Sequence, residues 1–180
     1  TQYLSAGMTP VREALRRLIA EGALEAQGNR RISVPRLTRA NVDELIFARQ
    51  AIDPKLVFMA TSNITKANMA ALTVADAALD NAIFTGDIQG YLRHNYSFHY
   101  MLYDMADAPI LRSVALRMWL QFGPSLRVVC GRVGTQNLVD EHKEVLLAMA
   151  AGDAERAANA IRSDVLQGME QVRRTFDTSD

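Results

Sequence analysis

Two histidines, an aspartate and an asparagine interrupt helical stripes that are otherwise apolar. Asn95 and His99 lie one turn apart and so point the same way, on a segment whose inner face is marked by Ile88, Leu92, Leu102 and Ala106. His142 stands among Leu138, Val145, Leu146 and Met149, and Asp164 among Ala157, Ile161, Val165, Met169 and Val172. A buried polar group without a partner costs about 1–3 kcal/mol, so several on facing stripes should meet one another, an ion or a ligand. One such histidine alone reads most simply as a core residue bonded to a backbone carbonyl. Three helices each presenting a donor point instead to a shared site. Two imidazoles and a carboxylate suit a borderline divalent metal, zinc first, with nickel or manganese as alternatives. His94 lies about 100° from this face and reads as a surface or helix-contact residue.

These side chains need helices to hold them, and from Pro35 onward the chain reads as almost continuous helix with short punctuation and no strand-like alternation. A first helix opens at Thr38 with Val42, Leu45, Ile46 and Ile52 on one side, and Asp53-Pro54 is expected to kink or restart it. A second follows Thr65 and stops at Gly86. The third runs from about Asp87 to Ala106, and the fourth from about Ala108 to Val129 with an interruption expected at Gly123-Pro124. The fifth spans about Asn137 to Ala151, and Asp153 caps a sixth reaching about Phe176.

Ahead of this body stands a helix with both ends signed. Thr9 reads as its N-cap, Pro10 as its first residue and Gly22 as its left-handed stop. Val11, Ala14, Leu15, Leu18 and Ile19 form one stripe, leaving Arg12, Glu13, Arg16 and Arg17 facing outward. Beyond Gly22, Leu24 and Ala26 alternate, Gly28-Asn29 turns, and Ile32 and Val34 alternate again after Arg30-Arg31. An arginine-bearing helix followed by a basic hairpin fits the second half of a winged helix-turn-helix, with a plain solvated helix and hairpin as the simpler reading.

The run Thr9-Pro10-Val11-Arg12-Glu13-Ala14-Leu15-Arg16-Arg17-Leu18 resembles the recognition-helix signature of the GntR superfamily of bacterial transcription regulators, with Gly7 and Met8 where the family usually has Ser and Arg. The resemblance implies that Thr9 helps hold a phosphate, that Arg12 reaches a base edge, and that Arg16 or Arg17 lies nearer the backbone, with Arg30 and Arg31 on the wing. Leu45 to Arg49, Phe98-His99, Glu141-His142 and Ala150 to Asp153, in this order, resemble the FCD effector-binding domain of the FadR-type subfamily. That family uses one Asp and three His for its metal. By resemblance Asn95 takes the usual Asp place and Asp164 the usual last His place, so the set here is Asn95, His99, His142 and Asp164. The matching arginine, Arg49, would face an effector cavity, where its fork of donors suits a carboxylate; an ion pair with a neighbouring acid is the alternative.

The expected architecture is therefore mostly α. An N-terminally incomplete winged helix-turn-helix over 1–36 precedes an all-α six-helix antiparallel bundle over 37–180. With 49% hydrophobic and 22% charged residues the chain can bury a real core. Residues 1–36 carry six arginines against three glutamates, net +3, and the overall charge of zero leaves −3 for the body. A basic end on an acidic body suits a nucleic-acid reader joined to something else. One cysteine, Cys130, excludes an intrachain disulfide framework, and with no apolar run of membrane length the expected setting is cytoplasmic. The functional expectation is a homodimeric, ligand-responsive transcription regulator with operator DNA and a small carboxylate or hydroxy acid as partners, and no membrane. The alternative is an enzyme using His99, His142 and Asp164 as a 2-His-1-carboxylate site.

Overall fold

The computed structural model describes residues 7–28, 31–134 and 141–177. The first helix, α1 (Met8–Ala20), opens earlier than expected: Gly7, in extended backbone, is the N-cap and makes no side-chain cap bond. Thr9 is thus inside the first turn. Pro10 is tolerated there because first-turn N–H groups lack intrahelical partners in any case. The stop is as expected, with Gly22 at φ 78°. Its amide donates to Ile19 O at 3.0 Å and that of Ala23 to Leu18 O at 2.9 Å, the double closure of a Schellman end. A hairpin follows, β1 (Glu25–Gln27) antiparallel to β2 (Arg31–Ser33), with Ala26 opposite Ile32.

Six further helices form the body: α2 (Arg39–Asn63), α3 (Lys66–Thr85), α4 (Ile88–Met105), α5 (Pro109–Val133), α6 (His142–Ala150) and α7 (Ala154–Asp177). Their starts are chemically explicit. Thr38 and Asn41 exchange backbone and side-chain bonds in a capping box, and Thr65 and Asn68 repeat it on α3. Asp87 Oδ1 accepts from Gly90 N at 2.9 Å, and Asp153 Oδ1 from Arg156 N at 3.0 Å.

Three expected boundaries are corrected. The long helices α2 and α5 run through Pro54 and through Gly123-Pro124 without ending. Proline removes one bond, but α2 packs along α7 and also against α4 and α5, and that packing holds the helix across the defect. The fifth body helix begins at His142, not near Asn137, and residues 135–140 lie outside the described residues. No helix among the described residues is long and apolar enough to cross a membrane.

The core is continuous through the six helices. Leu56, Leu72, Leu79, Phe98, Leu102, Tyr103, Met149, Ile161 and Met169 are fully buried in it, together with His99 and His142. Cys130 is a packed residue whose thiol is pushed up to about 11 by burial. Leu56→Ala should therefore destabilise the chain by about 2–5 kcal/mol through transfer and cavity effects, whereas Thr38→Ala should cost about 1 kcal/mol for the lost cap. Urea unfolding of both variants checks this, and equal losses would mean that α2 is not docked as described.

Candidate metal and effector site

Four helices converge on one point in the core. The middle of α4 supplies His99, the first turn of α6 supplies His142, the middle of α7 supplies Asp164, and α3 places Asp76 behind His142. One ligand atom from each of His99, His142 and Asp164 lies within 4.8 Å of the others. His99 Nε2 is 3.1 Å from Asp164 Oδ2, and His142 Nε2 is 3.6 Å from Asp164 Oδ1. Ligand atoms bonded to zinc at about 2.0–2.2 Å sit about 3–4 Å from one another, so these separations fit a shared ion after small adjustments.

Each side chain is fixed by its surroundings. The His142 ring stacks on Phe98 with centroids 3.9 Å apart and planes 10° from parallel. Its other nitrogen, Nδ1, is 3.8 Å from Asp76 Oδ1, and Lys143 approaches the same carboxylate at 3.9 Å. Asp164 Oδ1 accepts from the Glu141 amide at 3.3 Å, at the N-terminus of α6, where the helix dipole favours an anion. Burial pushes the Asp164 carboxyl up, but His142, His99 and that amide outweigh it and hold the group well below the usual carboxylate range.

A hydrogen-bond chain sets the orientation of His99. Tyr103 donates its proton to Asp53 Oδ2 at 2.9 Å and accepts from Trp119 Nε1 at 3.1 Å. The Tyr103 oxygen lies 3.5 Å from His99 Nδ1, a contact whose direction depends on the imidazole tautomer. Facing Asp164 Oδ2 at 3.1 Å, His99 Nε2 can donate a proton to the carboxylate or, with the ring proton on Nδ1, offer its lone pair to an ion shared with it. Burial and the Asp53 charge push the Tyr103 phenol up, so it stays a neutral donor.

The residues expected at the site are distributed as follows. His99, His142 and Asp164 meet. Asn95 is half-buried and lines the same small cavity, of about 30 Å³, beside His99 and Asp164. Arg49 also lines it, but its Nε and one terminal nitrogen lie 2.9 and 2.7 Å from Asp53 Oδ2. Its guanidinium lies over the rings of both Trp119 and Phe122, 5.0 and 4.3 Å from their centroids, which are themselves 4.6 Å apart. Both readings of Arg49 thus coexist: it faces the cavity with its charge already paired. His94 is half-buried, away from the cluster.

Asp53, Asp76 and Tyr103 are the residues that sequence reasoning missed. Asp76 sits on the stripe of Leu72 and Leu79, the same signal that singled out Asp164, and could have been found by it. Asp53 was hidden by reading Asp53-Pro54 as a break.

On the other unit Thr9, Arg12, Arg16, Arg17 and Arg31 are all exposed, and Arg30 lies outside the described residues. Arg17 bonds Glu21 at 2.8 Å and Arg16 lies 3.9 Å from Glu13. The two units touch at the end of α1. A Cβ on Gly22 would stand 3.2 Å from Gln121 Nε2, so the turn that follows α1 approaches the Gln121 side chain on α5.

The FCD domain family matches residues 44–166, well over half of the chain. A curated relative, the HTH-type transcriptional regulator McbR of Escherichia coli (strain K12), is 26% identical over 169 residues, which cover 92% of this chain and 76% of that protein. The solved structure of E. coli McbR/YncC superposes with a TM-score of 0.87 at 24% identity, covering 94% of this chain and 86% of the other. A putative transcriptional regulator GntR from Rhodococcus sp. RHA1 follows the same fold with a TM-score of 0.74 at 19% identity, over 95% and 82% of the two chains. The enzyme alternative finds no counterpart in these relatives, which carry the names of regulators. With the helical body matched over most of its length and a recognition-type helix and hairpin leading into it, the chain belongs to the FCD-domain family of GntR-type regulators.

Proposed function

We propose that this protein is a ligand-responsive transcription regulator that binds operator DNA as a homodimer, its affinity set by a small organic acid at a divalent-metal site. The observation that carries the reading is the convergence of His99, His142 and Asp164 in the bundle whose α5 places Gln121 beside the Gly22 turn that ends the arginine-bearing helix. Relatives that carry the names of transcriptional regulators add to it. Two reading heads would match two half-sites, which is the basis for the dimer.

His99 and His142 would hold the ion through Nε2, Asp164 through a carboxylate oxygen, and Asn95 weakly or through water. Bound there, a divalent ion supplies Lewis acidity at an open position, which attracts a carboxylate oxygen. Asp76, 3.8 Å from His142 Nδ1, stands where a carboxylate would orient a ligating histidine by closing to a hydrogen bond. Arg49 lends a buried cation to the cavity wall, with Asp53 and the aromatic rings keeping its planar group in place. On the DNA side Arg12 would read a base edge, Thr9, Arg16 and Arg17 would position the helix on phosphates, and Arg30 and Arg31 would touch the backbone from the wing. The acid must prefer one arrangement of the two heads, since equal affinity for both shifts nothing. Leaning α5 against the end of α1 gives it a route.

His99→Ala and His142→Ala should each lower the zinc content of the purified protein and its melting temperature, because metal that binds the native state adds to folding free energy. Asp76→Asn should weaken zinc about 10–100-fold while keeping the three ligands, and Asn95→Asp should tighten it by restoring an anion. Zinc titration with thermal melts reads all four. Wild-type protein that takes up no divalent metal, with Asn95→Asp unchanged, would reduce the cluster to a hydrogen-bonded polar core.

In protein carrying a complete winged helix, Arg12→Ala should cost about 1–3 kcal/mol at the specific site and little on random DNA. Arg31→Ala should weaken all sequences alike and reduce the salt slope by about one. Binding isotherms across a salt series distinguish the two, and identical effects on specific and random DNA would contradict the assignment.

A further inference from the structure

We infer that Gly168, one turn beyond Asp164 on α7, is the specificity-determining position of the acid site: its missing side chain keeps open the space beside Asp164 that a ligand carboxylate would enter. The inference rests on the metal-and-acid reading above and names the residue that sets how large a group can join the donors. Gly168 lies well inside its helix, where glycine is disfavoured against alanine by about fivefold in the folding equilibrium. Local structure supplies no reason for it.

Neither backbone conformation nor packing requires glycine at this position. The described glycines with positive φ are Gly22, Gly86, Gly134 and Gly152, and Gly168 is not among them. A Cβ built on Gly168 would meet no atom within 4 Å apart from its chain neighbours and the backbone of its own helix. Gly90 on α4 is different, since a Cβ there would run into the Asp87 side chain that caps the helix. Gly123 and Gly131 on α5 also have room for a Cβ. Among the described helical glycines, however, Gly168 alone lies in the wall of the donor cavity, with Arg49, Asn95, His99 and Asp164.

Direction and size turn that room into a selective feature. Side chains on a helix tilt toward its N-terminus, and residues four apart stand one above the other. A side chain at 168 would therefore lean over Asp164. In line with this, Asp164 is the most open of the three donors, 11% exposed against 2% for His99 and 0% for His142. The cavity at the donors measures about 30 Å³, and one water needs roughly 10–15 Å³ of such space. A carboxylate group with its two oxygens fills it. A methyl is about the size of a water, so alanine at 168 would take up about half of the room. Gly168 also borders a surface cleft walled by Leu166, Gln171 and Arg174. A Cβ that pointed into that cleft would leave the donors untouched, and alanine would then be silent toward acids.

Cobalt(II), whose visible absorption reports its ligands, would be loaded in place of zinc into wild type, Gly168→Ala and Gly131→Ala, and each titrated with acetate and with lactate. Without metal, Gly168→Ala should melt about 2–4 °C higher than wild type, because alanine favours the helix. It should still take up cobalt, yet bind acetate about tenfold or more weakly. Gly131→Ala, outside the donor cavity, should bind both acids like wild type. A stabilised Gly168→Ala protein with wild-type acetate affinity would overturn the inference and leave the metal-and-acid reading standing. Equal weakening in both variants, or a lower melting temperature for Gly168→Ala, would also overturn it, the first by removing its locality and the second by showing that packing requires the glycine. Cobalt-loaded wild type that binds neither acid would overturn the inference and the acid reading together.

Discussion

A carboxylate held between two imidazoles in a dry core is the constraint on which the bundle turns. Asp164 is 11% exposed, with His99 at 2% and His142 at 0%. Leaving any one of them unbalanced would cost several kcal/mol, so the helices that carry them must keep their registers. The rest of the core serves that requirement. Phe98 stacks on one imidazole, and Tyr103, bonded to Asp53, lies against Nδ1 of the other. The start of α6 turns the Glu141 amide toward the carboxylate. Asp53 in turn neutralises Arg49, which would otherwise be a second uncompensated charge. Burial alone would push the Arg49 guanidinium down; Asp53 and Tyr103 hold it above its ordinary value.

Much of this was legible in the sequence because it follows from periodicity and from punctuation with a single meaning. Polar residues on apolar stripes located His99, His142 and Asp164. Thr38, Thr65, Asp87 and Asp153 announced helix starts that the structure places within a residue or two. Gly22 and Gly86 marked stops that need a positive φ. What failed was punctuation whose meaning depends on tertiary context. Pro54 and Pro124 break an isolated helix, yet here the flanking turns are packed into the bundle and stay helical. Thr9 is a good cap residue, yet Gly7 in extended backbone starts the helix first. Partner choice across helices was beyond reach altogether. Nothing in the spacing says that Asp76 stands behind His142, or that Arg49 bonds the acid beside the supposed break.

The contact between α1 and α5 gives this organisation its functional sense. One stretch of α5 sets Trp119 and Phe122 against Arg49 on its inner side and Gln121 near Gly22 on its outer side. A side chain at Gly22 would crowd Gln121, and the positive φ there disfavours one in any case, so the close approach and the helix stop demand the same residue. Any rearrangement at the donors that moves Trp119 therefore acts within a turn of Gln121, which sits beside the end of α1. The proposed regulation needs no long pathway through the molecule.

The most direct measurement is a crystal structure of the zinc-loaded protein with anomalous data collected at the metal edge. The expected result is one anomalous peak per chain, within bonding distance of His99 Nε2, His142 Nε2 and an Asp164 oxygen, with Asp76 still behind His142. A core without such a peak, in which both histidines hydrogen-bond Asp164 directly, would contradict the assignment of a metal-dependent regulator.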